Sequence, residues 1–157
     1  MPNAQVELLK GVWLFERCSR KELAMIASAA TKVDVPAERV LAREGDVGRE
    51  FFVLVAGKCQ VTRNGVPVGI LGPGSFFGEM ALLDRQPRAA TVTACEPSEV
   101  LVLTTQAFTG VLDTVPSVDR KMIAVLAARL RDLEDRFLPA ERYEPRRDEP
   151  TLARASV

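Results

Sequence analysis

From residue 31 to residue 104 the apolar positions fall in short runs, β-branched or alternating, and a glycine, a proline or an Asn-Gly pair interrupts almost every one. The runs are 32–35, 40–41, 51–55, 59–63, 66–71, 90–94 and 100–104. They are shorter than an ordinary helix, and their composition and spacing suit strands. Asn64 and Gly65 separate two of the runs by the two residues that a type I′ turn uses, because both central positions of that turn need positive φ. Runs 59–63 and 66–71 therefore pair as a hairpin. An open sheet built from such short strands would leave unprotected edges, so the pattern predicts a mainly β fold (α+β overall). Its centre is an antiparallel jelly-roll barrel or small sandwich of roughly eight strands. Gly57, Gly72 and Gly74 would sit at its corners.

Helical spacing flanks this block on both sides. Val6, Leu8 and Leu9, then Leu23, Ile26 and Ala30, recur at helical intervals, and Ser19 with Glu22 forms the pattern of a capping box. Trp13 and Phe15 read as residues that pack those helices together. After Pro116 the period is helical again, with Met122, Leu126, Leu130, Leu133 and Phe137 three or four residues apart. Pro139 ends that helix. The segment 139–157 mixes charge with further prolines and has too little apolar content to pack, so a disordered tail is expected there after a domain at 1–138. Arg146 and Arg147 are neutralised locally by Glu144, Asp148 and Glu149. There is no internal repeat.

Composition narrows the function. At 157 residues and 47% hydrophobic content the chain can bury one substantial core, not two. Its 21 basic and 21 acidic residues cancel, so no overall field draws it to nucleic acid or to an anionic membrane, and any anion site must be local. Histidine is absent, which removes the commonest general base and the commonest zinc and haem ligand. Cys18, Cys59 and Cys95 are too few and too scattered for a disulfide framework or a paired metal motif, and suit a reduced, cytoplasmic protein as small apolar fillers. No cationic stretch precedes the first apolar residues as in a signal peptide, and no run approaches membrane-spanning length.

One stretch of the β block is unlike a strand. Residues 77–92 run Phe-Gly-Glu-Met-Ala-Leu-Leu-Asp-Arg-Gln-Pro-Arg-Ala-Ala-Thr-Val. Residues 78–83 read as a single helical turn whose first N–H groups lack partners, a cradle for one phosphate. Gly78, Ala81, Ala89 and Ala90 are small where backbone amides would have to touch a ligand oxygen. Arg88 offers forked donors that match a phosphodiester better than a lysine does. Glu79 conflicts with an anion unless it accepts from a sugar hydroxyl, which a ribose 2′-OH supplies. Such a site prefers a ribonucleotide.

The combination of Phe77-Gly78-Glu79, the apolar turn, Pro87-Arg88 and Ala90-Thr91-Val92 resembles the phosphate-binding cassette of the cyclic-nucleotide-binding domain family, whose familiar members are the bacterial catabolite activator protein and the regulatory subunit of protein kinase A. The similarity spans residues 8–138 and takes in Gly45, Gly57, Gly72 and Gly74. It implies that Glu79 holds the ribose 2′-OH and Arg88 the cyclic phosphate, with Gly78, Met80, Ala81, Ala89 and Ala90 around them. Relatives selective for cGMP usually place threonine directly after the arginine; Ala89 there points to cAMP, with cGMP the less favoured ligand. Val61, Val68 and Leu71 match positions lining the sugar and base pocket. Arg129 matches a position that approaches the ligand in some bacterial relatives, and Leu133 stands where a hydroxyl residue reaches adenine, making any lid over the base apolar.

The expected function is a cAMP-binding, non-catalytic sensor or regulatory module with no cofactor and no metal, acting on an effector not identifiable from the sequence. The competing reading is a ligand-free relative in which the domain serves as an interaction module. The spacing from Leu126 to Phe137 suits a short coiled coil with a second copy. A helix-turn-helix after residue 138 would have only 19 residues, mostly polar, to draw on, a phosphodiesterase or cyclase would need a base or metal cluster, and a cupin-like enzyme would need histidines.

Overall fold

The computed structural model describes residues 2–137; the tail expected at 139–157 lies outside them. Helix α1 (Pro2–Lys10) leads through a 3₁₀ turn (Trp13–Phe15) into α2 (Arg20–Ala29). The strands follow as β1 (Thr31–Val35), β2 (Val40–Ala42), β3 (Glu50–Ala56), β4 (Cys59–Arg63), β5 (Val66–Leu71) and β6 (Phe76–Phe77). A short helix, α3 (Glu79–Asp84), separates these from β7 (Thr91–Ala94) and β8 (Ser98–Thr104), and α4 (Thr105–Thr114) and α5 (Pro116–Phe137) close the fold.

The strands form two four-stranded sheets, ordered β1-β8-β3-β6 and β2-β7-β4-β5, and the pairings are antiparallel. This is the jelly-roll arrangement expected. Asn64 at φ 52° and Gly65 at φ +76° turn β4 into β5, the pair of left-handed residues that a type I′ turn requires. The β4–β5 register slips one residue beyond the turn: Val61 faces Gly69 and Thr62 faces Pro67, which leaves Val68 as the extra residue of a bulge.

Strand β3 explains how the two layers are joined. Its Phe52 and Leu54 enter the core between the sheets, with Val61, Leu71, Phe77, Val92 and Val100. Its Phe51 and Val53 enter a second core against the helices, where Leu9, Phe15, Ile26, Phe108, Val118 and Met122 converge. A strand covered on both faces is apolar throughout, and Phe51, Phe52, Val53 and Leu54 are all buried. Cys59 lies in the inter-sheet core, and burial pushes its thiol pKa up to about 11, so it behaves as an apolar filler there.

The capping box at α2 is present in both directions: Ser19 Oγ accepts from Glu22 N at 3.1 Å, and Glu22 Oε1 accepts from Ser19 N at 2.9 Å. Phe15 is buried as a packing residue, whereas Trp13 stays partly exposed beneath the Lys121 ammonium, 4.6 Å from its ring. Two elements escaped the reading of the sequence: the two-residue β6 and the helix α4, for which Thr104 Oγ1 accepts the capping bond from Ala107 N.

Candidate functional site

The site is built where β6 breaks. Gly78 takes φ +95°, and a Cβ there would lie 2.6 Å from Arg88 Nη1 and 2.8 Å from the Glu50 carbonyl oxygen, so both backbone and space demand glycine. The chain then makes α3 and leaves it through Arg85, itself left-handed at φ 58°. Asp84 Oδ1 accepts from Gln86 N at 2.9 Å and tightens the exit. The return segment is pinned at Arg88, whose N–H donates to Asp46 O at 2.8 Å and whose carbonyl accepts from Gly45 N at 2.9 Å. Arg63 Nε donates to the Ala89 carbonyl at 3.2 Å, tying the β4–β5 hairpin to the same segment.

Arg88 is only 8% exposed. Nη2 donates to Glu50 O at 2.9 Å, Nη1 donates to Gly78 O at 3.3 Å, and the group lies 5.7 Å from the Phe52 ring centroid. Burial lowers its pKa, with the Glu50 and Glu79 carboxylates opposing, and an arginine so placed remains charged. A sheltered cation held by carbonyl oxygens favours an anion that can replace water around it.

Glu79 is fully buried. Its Oε1 accepts from Arg129 Nη1 of α5 at 2.5 Å, and its Oε2 is buried with no hydrogen-bond partner among the described residues. Burial raises the Glu79 pKa; Arg129, and more weakly Arg88, act against it. The carboxylate therefore joins the phosphate-cradle segment to α5, a contact between residues 50 positions apart.

Six of the residues singled out in the sequence line one cleft: Gly78, Met80, Ala81, Arg88, Ala89 and Ala90. The others stand elsewhere. Glu79 turns towards Arg129 rather than into that cleft. Val61 and Leu71 are buried in the inter-sheet core, Val68 is the half-exposed bulge residue, and Leu133 is 49% exposed on α5. The residues expected on the sugar and base side thus stand apart from that cleft, with Val61 and Leu71 in the core between the sheets. The structure also adds backbone contacts that the sequence reading passed over. Glu50 and Gly78 supply the carbonyls that hold the guanidinium, and Gly45 and Asp46 hold the Arg88 backbone. Backbone acceptors leave no trace in side-chain identity, so no pattern could have announced them.

A jelly roll with a helical turn, a buried arginine and small residues around one cleft defines a class of β domain closed by a terminal helix. The chain belongs to the cyclic nucleotide-binding domain family, which it matches over residues 32–115, more than half its length. It is 30% identical over 131 residues to the cyclic AMP receptor protein of Thermus thermophilus, covering 80% of this chain and 61% of that protein. A cyclic nucleotide-gated potassium channel of Rhizobium etli is 40% identical over 97 residues, covering 62% of this chain and 27% of the channel. The crystal structure of the Thermus thermophilus catabolite activator protein superposes with a TM-score of 0.73 at 29% identity, covering 79% of this chain and 61% of that one. The chain thus spans less than two thirds of the length of these relatives. No helix among the described residues is long and apolar enough to cross a membrane.

Proposed function

We propose that the chain binds cAMP and acts as a non-catalytic sensor or regulatory module of the cytoplasm. The observation that carries this reading is the placement of Arg88 with Gly78, Ala81, Ala89 and Ala90 on one cleft. The arginine meets the cyclic phosphate, and the small residues let backbone N–H groups approach it. Glu79 Oε2, a buried acceptor without a donor, is the atom for the ribose 2′-OH. Reaching it requires a local shift of α3 against α5. Leu82 packs against the helical core that holds Met122 and Val125, so a movement of α3 on phosphate capture passes to α5 and from there to an effector. The described residues that line the cleft include no histidine or carboxylate to act as a general base beside Arg88. Three free cysteines suit a reducing compartment.

A second reading concerns the partner. Ile123, Leu130, Leu133 and Phe137 are 59%, 58%, 49% and 81% exposed on α5, and with Leu126 they repeat at alternating intervals of three and four. The seam suits a homodimer, whether or not nucleotide is bound.

The deciding experiment is calorimetric titration with cAMP, cGMP and 5′-AMP. cAMP should bind most tightly, and Arg88→Ala should lose about 1.5–3 kcal/mol of binding free energy, the range for a charged hydrogen bond. Equal affinity in the variant would remove Arg88 from the site.

A further inference from the structure

Residues 43–49 do more than connect β2 to β3. Their backbone brackets Arg88 through the Gly45 N–H and the Asp46 carbonyl, and the next residue but one, Gly48, presses on the arginine side chain. A Cβ at Gly48 would lie 3.0 Å from both Cζ and Nε of Arg88 and 2.6 Å from the Cβ of Ala81. Unlike Gly78, Gly48 does not have a left-handed φ, so its backbone would accept any residue. What the position cannot accept is the atom itself. The Ala81 methyl is fixed to the backbone of α3 and can move only with that helix. Arg88 is held by the Glu50 and Gly78 carbonyls and by the Phe52 ring, so it yields only by giving up those contacts.

We propose that Gly48, which lies outside the phosphate-cradle segment, is a positioning residue for nucleotide binding: its missing side chain sets the spacing between α3 and the Arg88 guanidinium. With that spacing, Gly78, Ala81 and Arg88 can converge on one phosphate. This rests on the reading of the cleft as a cAMP site. Gly48 itself contacts the ligand's partners, not the ligand.

The test is a double-mutant cycle on the full chain, with cAMP as the titrant, over wild type, Gly48→Ala, Ala81→Gly and the double variant. Gly48→Ala should weaken cAMP at least tenfold when residue 81 is alanine. It should weaken it by a smaller factor, relative to Ala81→Gly, when residue 81 is glycine, because the 2.6 Å contact is then gone and only the 3.0 Å contacts with Arg88 remain. A penalty equal in both backgrounds, or absent from both, overturns the proposal. If Gly48→Ala alone fails to fold, recovery of folding in the double variant supports the same contact, and a double variant that also stays unfolded overturns it. The Arg88 Nε–Hε resonance separates this idea from the ligand assignment. Should the wild type bind no cAMP, Gly48→Ala must still displace that resonance, and Ala81→Gly must reduce the displacement; an unmoved resonance, or one displaced equally in both backgrounds, overturns the proposal.

Discussion

At the scale of single residues, Glu79 is a carboxylate wholly removed from water, with one oxygen on Arg129 and the other unpartnered among the described residues, so desolvation opposes its charged form and Arg129 favours it. Burial raises its pKa above the ordinary value of 4.5 despite Arg129, so the folded chain binds a proton more tightly there than the unfolded chain does. The stability from that proton is fully present below pH 4.5 and is lost as pH rises through the raised value. Urea denaturation across that window should show a steeper decline with pH in the wild type than in Glu79→Gln; parallel slopes would show that Glu79 is not the group responsible. Ala89 governs a different property. It lines the cleft directly after Arg88, where a hydroxyl could meet a guanine edge. Ala89→Thr should raise cGMP affinity relative to cAMP about fivefold, the worth of one hydrogen bond of about 1 kcal/mol, in a competition titration. An unchanged ratio would dissociate position 89 from base choice.

At the scale of elements, the hairpin and the terminal helix show how far local pattern reaches. The bounds of β4 and β5 coincide with the apolar runs on either side of Asn64-Gly65, because a two-residue turn of that chemistry leaves no other register at its tip. The bulge at Val68 is another matter: the alternation continues through it in the sequence, and only the pairing with β4 shows the extra residue. Helix α4 was illegible for the opposite reason. Its residues, Thr-Gln-Ala-Phe-Thr-Gly-Val-Leu-Asp-Thr, are rich in β-branched types and carry a glycine, and they are helical because Phe108 and Val111 fill the core beneath α5. On α5 the exposed stripe from Ile123 to Phe137 makes a firm prediction. Sedimentation equilibrium should find a dimer that Leu130→Glu converts to a monomer, since a charge at the middle of an apolar seam has no partner. A wild type that stays monomeric at high concentration would leave the stripe to another occupant.

At the scale of the whole molecule, β3 and β8 are shared walls. Phe51, Val53, Leu101 and Leu103 face the helical core, while Phe52, Leu54 and Val100 face the core between the sheets. Neither core can lose its packing without exposing a face of the strands that support the other. Leu54 is fully buried, and Leu54→Ala should lower stability by about 2–5 kcal/mol, as buried leucine truncations do. Calorimetry should show one transition at a lower temperature. Two separated transitions would mean that the layers melt independently.

What the sequence determined by itself follows from chemistry confined to neighbouring residues. Strand-length runs, a turn that needs two positive φ values, a capping box, and an arginine among small residues beside a glycine all act within a few positions of the chain. Those were enough for the jelly roll and for drawing attention to six of the residues that line the cleft. The tertiary structure alone decided which way Glu79 points, which carbonyls hold Arg88, and how close a side chain at Gly48 would come to Ala81 and Arg88. Each of those depends on atoms brought together across long stretches of chain, and a desolvated carboxylate or a 2.6 Å clearance exists only once the layers have closed around it.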